Sequence, residues 1–200
     1  LYEALHHGPS GSEFNPMLYV SRGPWGIYEV LEAFFNIHHI PLGPILFLRE
    51  WGISLKNPLP RRNRGHKAGL IRKMLALYDH LPCILIGDSG QHDPEIYAEI
   101  ISAYPGRIKG AYIRNVSSSD RRTGEIKRLA KRVADPKSFM FLAADSFAMA
   151  RHMAEKGLIS KRALIDVLEE RLQHEAYPKS RSINCIRIKG YNHNRGGTLI

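Results

Sequence analysis

Short apolar runs alternate along the chain with longer segments in which apolar residues recur every three or four positions. The short runs are rich in β-branched, leucine and aromatic residues, and they cover residues 17–20, 44–48, 83–86, 108–113 and 139–142. Runs of this length and composition predict strands that are buried on both faces. Helices between such strands favour an α/β fold, in which a parallel sheet with right-handed crossovers carries helices on both faces.

Residues that favour helix starts stand at the beginning of several periodic segments. Pro24 and Pro94 suit the first helical turn, and Asp93, Asp145 and Ser160 suit the N-cap position. Further helices are predicted over residues 66–78, 93–104, 121–134, 145–156 and 160–172. The helix that follows Pro24 is expected to bury one apolar stripe, which comprises Ile27, Val30, Leu31, Phe34 and Phe35.

Two segments lack such periodicity. Residues 49–65 are polar and contain prolines, and a loop of this length in a compact domain is usually functional or disordered. From residue 176 onward Lys, Arg, Asn and Gly dominate, which predicts a mobile tail. The chain is therefore expected to divide into a domain over residues 1–175 and a basic tail over residues 176–200.

The charge balance indicates an anionic partner. The net charge is +10, and basic residues concentrate at positions 56–73 and in the tail, where they favour contact with an acidic lipid surface. The remaining basic residues are scattered and form no recognised nucleic-acid motif, so nucleic acid is not expected as a partner. Cys83 lies on a predicted core strand and Cys185 in the tail, which fits a reducing compartment. We expect a cytoplasmic protein with peripheral contact to membranes.

Two carboxylates follow the predicted strand at residues 83–86. Residues 87–94 have the sequence Gly-Asp-Ser-Gly-Gln-His-Asp-Pro, so Asp88 and Asp93 lie in a turn between a strand and a helix. Sheets of this class bind ligands at the carboxyl ends of their strands. Because Mg²⁺ prefers oxygen ligands, Asp88 and Asp93 are candidate magnesium ligands. The alternative is a turn-forming Asp88 and a helix-capping Asp93.

Ser21 and Lys67 are expected at the same edge of the sheet. Ser21 follows the strand at residues 17–20, and Lys67 lies at a helix start after the long loop. A hydroxyl that donates to a phosphoryl oxygen, a lysine that offsets negative charge and a metal-binding aspartate together suit phosphoryl transfer. Taken singly, Ser21 is equally explained as a turn serine and Lys67 as a solvated surface lysine.

Residues 87–97, with the pattern Gly-Asp-Ser-Gly-Gln-x-Asp-Pro-Glu-Ile-Tyr, resemble the fourth motif of the haloacid dehalogenase superfamily. The version is similar to that of the catalytic domain of the actin patch protein type of phosphatidate phosphatase. Further similar pieces occur in the family's order between residues 1 and 159, at residues 19–25, 48–52, 66–67 and 112–114. The resemblance implies a Rossmannoid three-layer fold and Mg²⁺-dependent hydrolysis of a phosphomonoester, with phosphatidate as the substrate class.

The resemblance also implies roles for individual residues. Ser21 matches the hydroxyl that holds the phosphoryl group, and Lys67 matches the lysine that offsets its charge. Asp88 matches the metal ligand, and Asp93 supports or completes the metal shell. Arg114 matches a family position to which we assign no catalytic role; at a strand end it is expected to meet an anionic head group or, alternatively, to pair with an acidic neighbour. Arg22 is a further candidate substrate-binding residue. Asp145 matches a family position too, but is interpreted here as an N-cap.

One part of the family pattern is not found among these residues. The family attacks phosphorus with the first aspartate of an Asp-x-Asp-x-Thr motif and forms an aspartyl-phosphate. No two aspartates of this chain are separated by one residue. We expect that motif upstream of Leu1, on a strand that lies between those at residues 17–20 and 83–86. Without that strand, unpaired backbone groups would leave the fragment inactive and poorly folded.

The missing nucleophile and the basic tail support a different class of function. In that alternative the chain is a non-catalytic module that binds acidic lipid or a protein partner. A nucleic-acid protein is a third possibility, and it rests on net charge alone.

Overall fold

The computed structural model describes residues 1–21, 23, 25–47, 64–134 and 136–176. Helices and strands alternate along these residues. In chain order the elements are α1 (Tyr2–His7), β1 (Tyr19–Val20), a 3-10 turn (Trp25–Ile27), α2 (Tyr28–Ile37), β2 (Ile45–Leu46), α3 (Arg64–Leu77), β3 (Cys83–Asp88), α4 (Asp93–Ala103), β4 (Ile108–Arg114), α5 (Asp120–Val133), β5 (Met140–Ala143), α6 (Ser146–Glu155) and α7 (Lys161–Ala176).

All ladders between the described strands are parallel. β1 pairs with β2 in one sheet, and a second sheet has the order β3-β4-β5. The predicted strands are therefore confirmed, and parallel strands joined by helices are consistent with a Rossmann-like three-layer fold. β3 extends through Asp88 and β4 through Arg114, so both strands reach the candidate site. Within the described residues no ladder joins the two sheets, and the expected strand between them stays a prediction.

Each face of the three-stranded sheet is covered by its own hydrophobic cluster. On one face Ile113 packs with Ile100 and Ile126 of α4 and α5, and all three are fully buried. Its neighbour Tyr112 points to the opposite face and packs with Met149 and Met153 of α6. Because successive strand residues alternate between faces, β4 anchors both layers of helices. Burial of each such side chain stabilises the fold by about 1.5–3 kcal/mol.

The predicted apolar stripe of α2 is wrong in part. Phe35 is buried and its ring centroid lies 4.5 Å from that of Tyr19, but Val30 is 69% exposed and Phe34 46% exposed. The reason is the narrow sheet beneath the helix, since β1 and β2 contribute two residues each. Such a surface buries Phe35 and half-buries Ile27 and Leu31, and it leaves Val30 and Phe34 exposed.

The capping predictions hold at two positions and fail at a third. The Asp145 carboxylate accepts a hydrogen bond from the backbone N–H of Ala148 at 2.7 Å. The Ser160 hydroxyl likewise accepts from Ala163 at 3.0 Å. Asp93, in contrast, is the first residue of α4 rather than its cap, because its carboxylate faces other partners described below.

Several predictions fall outside the described residues. The loop is described only at positions 64 and 65, which begin α3, and the tail only at position 176, the last residue of α7. Within the described residues, none of the helices combines the length and apolar character that a bilayer crossing demands.

His152 of α6 is packed against aromatic side chains of the sheet. Its ring stacks on Phe141 with centroids 4.0 Å apart, and its Nδ1 lies 3.1 Å from the Tyr112 hydroxyl. Burial lowers the pKa of His152 below its ordinary 6.5, and the nearby Lys156 ammonium lowers this pKa further. The folded state therefore favours the neutral imidazole.

We expect the protein to lose stability as the pH falls below 6.5, because the unfolded chain then binds a proton that the folded His152 resists. The contribution is complete above that pH and disappears as the pH passes through the lower, folded pKa. Urea unfolding between about pH 8 and pH 5 measures it. In a His152→Phe variant the free energy of unfolding should depend less steeply on pH. His80→Gln should keep the wild-type slope, since the side chain of His80 is 78% exposed. Equal slopes in all three proteins would contradict the assignment.

Candidate functional site

The predicted site residues converge on one cleft of about 1130 Å³. Its lining includes Ser21 after β1, Lys67 of α3, Asp88 at the end of β3, Asp93 of α4 and Arg114 at the end of β4. These elements meet where parallel strands end, as the sequence predicts.

The register of β3 and β4 sets the floor of the cleft. Asp88 lies opposite Arg114 in the parallel ladder, so an acidic and a basic side chain leave adjacent strands at the same level. The backbone N–H of Ser89 donates to the Arg114 carbonyl at 2.9 Å and continues the pairing by one step. The two side chains therefore leave backbone that is held by strand pairing. Arg22, the other arginine predicted here, lies outside the described residues.

Asp93 links a helix to the end of β3. Its Oδ1 accepts a hydrogen bond from Lys67 Nζ at 2.6 Å, and its Oδ2 accepts from the backbone N–H of Asp88 at 3.3 Å. The Lys67 and Asp93 side chains are only 14% and 5% exposed. Both carboxylate oxygens thus have a partner, which explains why Asp93 does not cap its own helix. Lys67 is a partnered, mostly buried lysine rather than a solvated surface one.

Tyr97 of α4 contacts both β3 and Lys67 behind the cleft lining. Its hydroxyl donates to the Ile86 carbonyl at 2.8 Å, and Lys67 Nζ lies 5.9 Å from the centre of its ring. Burial raises the pKa of Tyr97 well above its ordinary value, and the charges of Asp93 and Asp88 raise this pKa further. The phenol therefore stays protonated and serves as a fixed donor. The sequence pattern places Tyr97 on an apolar helix face and gives no indication of this second role.

Gly87 allows Asp93 to approach the strand. A Cβ atom built at Gly87 would lie 2.8 Å from the Asp93 Cβ and still closer to its Oδ2. A side chain at position 87 would therefore push the carboxylate away from Lys67 and Asp88. A glycine directly before a strand-end aspartate is the signal in the sequence that corresponds to this close approach.

Asp88 is the carboxylate of this site that has an oxygen available for a metal ion. Among the described residues, Oδ1 of Asp88 accepts from the Gly90 N–H at 2.8 Å, and Oδ2 has no hydrogen bond. Asp93 is close by, but both of its oxygens are occupied. In the part of the chain that the structure describes, no three acidic, His or Cys side chains form a metal-binding group. One or two carboxylates completed by water and a substrate phosphate are a common arrangement for Mg²⁺.

Ser21 both stabilises the turn after β1 and lines the cleft. Its N–H donates to the Leu46 carbonyl at 2.9 Å and extends the β1–β2 ladder. Its Oγ accepts from the Gly23 N–H at 3.0 Å, so the turn-serine interpretation is confirmed. The residue also lines the cleft, and an Oγ that accepts one hydrogen bond still has its own proton to donate.

The far rim of the cleft comes from a helix that the sequence analysis did not connect with the site. Asp145 Oδ2 lies 3.1 Å from the Arg171 guanidinium, which stands over the Phe147 ring at 5.6 Å. Glu170 and Glu175 line the same rim. Their placement depends on how α7 packs against α6, and no local motif carries that information.

Residues 1–115 match the sequence profile described as the catalytic domain of phosphatidate phosphatase APP1. The chain belongs to this family. A 118-residue segment is 31% identical to phosphatidate phosphatase APP1 of Saccharomyces cerevisiae and covers 59% of this chain and 19% of that protein. A 100-residue segment is 33% identical to an uncharacterized protein of Schizosaccharomyces pombe and covers 50% of this chain and 16% of that protein. No solved structure matches the chain.

The family match and the site geometry coincide for the central residues. The matched positions 1–115 include Ser21, Lys67, Asp88, Asp93 and Arg114, whereas α5, α6 and α7 lie beyond them. The chain spans less than a fifth of the length of either relative.

A double-mutant cycle tests the link between α3 and α4. Lys67→Met and Asp93→Ala should each destabilise the fold by about 3–5 kcal/mol, because each leaves an uncompensated buried charge. The double variant should lose clearly less free energy of unfolding than the two single variants lose in sum, as measured by urea unfolding. The exposed pair Arg162 and Asp166 is the control and should show a coupling below about 1 kcal/mol. Additive costs for the buried pair would contradict the geometry.

A pair of glycine substitutions tests the close approach at position 87. Gly87→Ala should lower the free energy of unfolding by about 1–3 kcal/mol, because the new methyl group displaces the Asp93 carboxylate. Gly69→Ala in α3 is the matched control, since a Cβ atom there meets nothing within 4 Å. It should leave stability unchanged or raise it by up to about 1 kcal/mol. Equal effects of the two substitutions would show that position 87 has room for a side chain.

Proposed function

We propose that this chain supplies the phosphate- and metal-binding part of a Mg²⁺-dependent phosphatidate phosphatase of the haloacid dehalogenase type. One observation carries the proposal: Ser21, Lys67 and Asp88 line a single cleft in a member of the APP1 catalytic-domain family. A hydroxyl, an ammonium group and a carboxylate on three separate elements match the needs of phosphoryl transfer, which depends on positioning and charge stabilisation.

In this proposal Asp88 is the direct metal ligand and Asp93 is its support. Mg²⁺, when bound, offsets negative charge on the phosphoryl oxygens. Asp93 has both oxygens committed, so it orients Lys67 and the backbone at Asp88 instead of replacing water on the ion. The two nearby carboxylates thus have different roles: Asp88 binds the ion, and Asp93 is neutralised by Lys67.

The remaining groups hold the substrate. The Ser21 hydroxyl donates to one phosphoryl oxygen, and the Lys67 ammonium, fixed by Asp93, offsets charge on another. Arg114, exposed at the end of β4, meets the lipid head group, and Arg22 is proposed to act with it. Because Ser21 and Lys67 are held before the substrate arrives, little order has to be imposed on them during the reaction.

The proposed hydrolysis proceeds through an aspartyl-phosphate. Its aspartate is not among these 200 residues, since no two aspartates of the chain have the Asp-x-Asp spacing. The proposal therefore places the nucleophile on residues outside this sequence. The 200-residue chain assayed alone should release no phosphate.

Lipid phosphate at a membrane surface is the proposed setting. The net charge of +10 favours peripheral contact with an anionic bilayer, where phosphatidate is presented. We also propose a cytoplasmic location, because Cys83 on a core strand and Cys185 in the tail fit a reducing compartment.

A non-catalytic module is the second candidate, and the absent Asp-x-Asp pair is the observation that favours it. Such a module would bind vesicles that contain acidic lipid or a protein partner. It would release no phosphate even in the context of the full-length gene product.

The test is phosphate release from phosphatidate in mixed vesicles by the full-length gene product that contains these residues. Release should require Mg²⁺, and Asp88→Asn or Lys67→Ala should lower kcat by about 100-fold or more, because each removes a charge-stabilising group. Addition of a chelator should abolish the activity.

Matched controls are available on α3 and in the turn that precedes β3. Lys73 is exposed on α3 and Asp79 is 82% exposed, so Lys73→Ala and Asp79→Asn should leave turnover unchanged. Unchanged turnover in Asp88→Asn and Lys67→Ala would refute the site. Vesicle binding without any turnover in the wild type would favour the non-catalytic module.

A further inference from the structure

Arg122 of α5 reaches across to the turn that follows Asp88. Its Nε donates to the Ser89 carbonyl at 3.1 Å, and its Nη2 donates to the Gln91 carbonyl at 2.7 Å. The same guanidinium forms a two-pronged ion pair with the Glu95 carboxylate, through Nη1 and through Nη2 at 3.0 Å. The side chain is only 19% exposed, so this is a packed contact.

The Ser89 carbonyl that Arg122 holds belongs to a peptide unit that also contains the Gly90 N–H. A trans peptide unit is planar, and its C=O and N–H groups point in opposite directions. Fixing the carbonyl therefore fixes the direction of the N–H. That N–H donates to Oδ1 of Asp88 at 2.8 Å. One rigid plane thus connects Arg122 to the proposed metal ligand.

The other side of the turn is also held. Ser89 is 2% exposed, and its Oγ accepts from the N–H groups of Val116 and Ser117 at 2.9 and 3.0 Å. It also lies 3.1 Å from Oδ1 of Asn115. These contacts come from the connection between β4 and α5, which leads directly to Arg122. The turn is therefore clamped between this connection and the guanidinium.

The position of Arg122 in its helix supports a role beyond helix stability. Arg122 lies in the first turn of α5, where the helix dipole disfavours a positive side chain. The ion pair with Glu95 offsets this cost, and its two-pronged form already favours arginine over lysine. Three different acceptors in a fork require the planar guanidinium. Arg122 also lies beyond residues 1–115, so the family match says nothing about it.

We infer that Arg122 is a positioning residue of the candidate site, which orients the Asp88 carboxylate through the Ser89–Gly90 peptide unit. It touches neither substrate nor metal in this role. The inference rests on the proposed function for its catalytic consequence, but the orientation itself is a property of the turn. Loss of such a supporting contact typically weakens metal binding or activity by about 10- to 100-fold.

The first measurement does not involve the metal. Amide hydrogen exchange at Gly90, measured in the full-length gene product, should become about five- to tenfold faster in Arg122→Lys, because the hydrogen bond to Asp88 is weakened. Glu95→Gln keeps the two carbonyl contacts and should change the exchange less than twofold. Arg121→Lys is the matched control, since the Arg121 side chain is 89% exposed and pairs with Glu125.

The second measurement is calorimetric titration of the full-length gene product with Mg²⁺ alone. Arg122→Lys should bind the ion about 10- to 100-fold more weakly than the wild type, while Arg121→Lys should bind it equally. In the full-length gene product, the same variant should need correspondingly more Mg²⁺ for half-maximal phosphate release, and guanidinium ions should partly restore an Arg122→Gly variant.

The outcomes separate the two hypotheses. Unchanged Gly90 exchange in Arg122→Lys, or an equal change in Glu95→Gln, would overturn the positioning role, because an ordinary ion pair between α4 and α5 would then explain the contact. Unchanged Mg²⁺ affinity in Arg122→Lys would overturn it as well. If the wild type binds no Mg²⁺ but Gly90 responds as expected, the proposed function fails and the positioning role stands.

Discussion

The Asp93 carboxylate is the group on which the arrangement of the site depends. Its residue is 3% exposed, and a buried carboxylate is costly unless both oxygens are paired. One oxygen binds the Lys67 ammonium and the other binds the Asp88 N–H, so a single charge fixes α3 relative to the end of β3. The approach is close enough to require glycine at position 87. The same constraint therefore places the lysine and the strand-end aspartate together at the cleft, before any ligand is present.

The sheet beneath that group gives the site its rigidity. Ile113 and Tyr112 of β4 are fully buried on opposite faces, so helices are held on both sides of the strand that pairs with β3. The buried strand β4 opens less readily than a loop, and the half-buried strand β3 is held by its pairing with β4. Asp88 and Arg114 are opposite each other in this ladder, which makes their separation a property of the sheet. A site that works by charge placement benefits most from such support.

Local patterns predict the strands, the helices and the convergence of Lys67, Asp88 and Asp93, because each follows from burial, helix starts and the common edge of parallel strands. They fail where distant residues compete with a local rule. Asp93 is a residue type that favours the N-cap position, but Lys67, 26 positions away, donates a hydrogen bond to its Oδ1. Phe34 has the spacing of a core residue, but the two-residue strands β1 and β2 leave it half exposed. Such outcomes depend on tertiary packing that periodicity does not encode.

The contact between Arg122 and the turn after β3 shows that α5, which lies outside the family match, supports the candidate site. The residues that match the family end at 115, yet the guanidinium that holds the Ser89 carbonyl is supplied by α5. Positive charge alone does not explain the choice of residue, since the ion pair to Glu95 is two-pronged and a lysine would make only one of its contacts. A fork that also binds two backbone carbonyls needs a planar guanidinium, and one of these carbonyls shares a peptide plane with the donor to Asp88. The geometry of the acceptors thus selects arginine, and the planarity of the peptide carries its effect to the carboxylate.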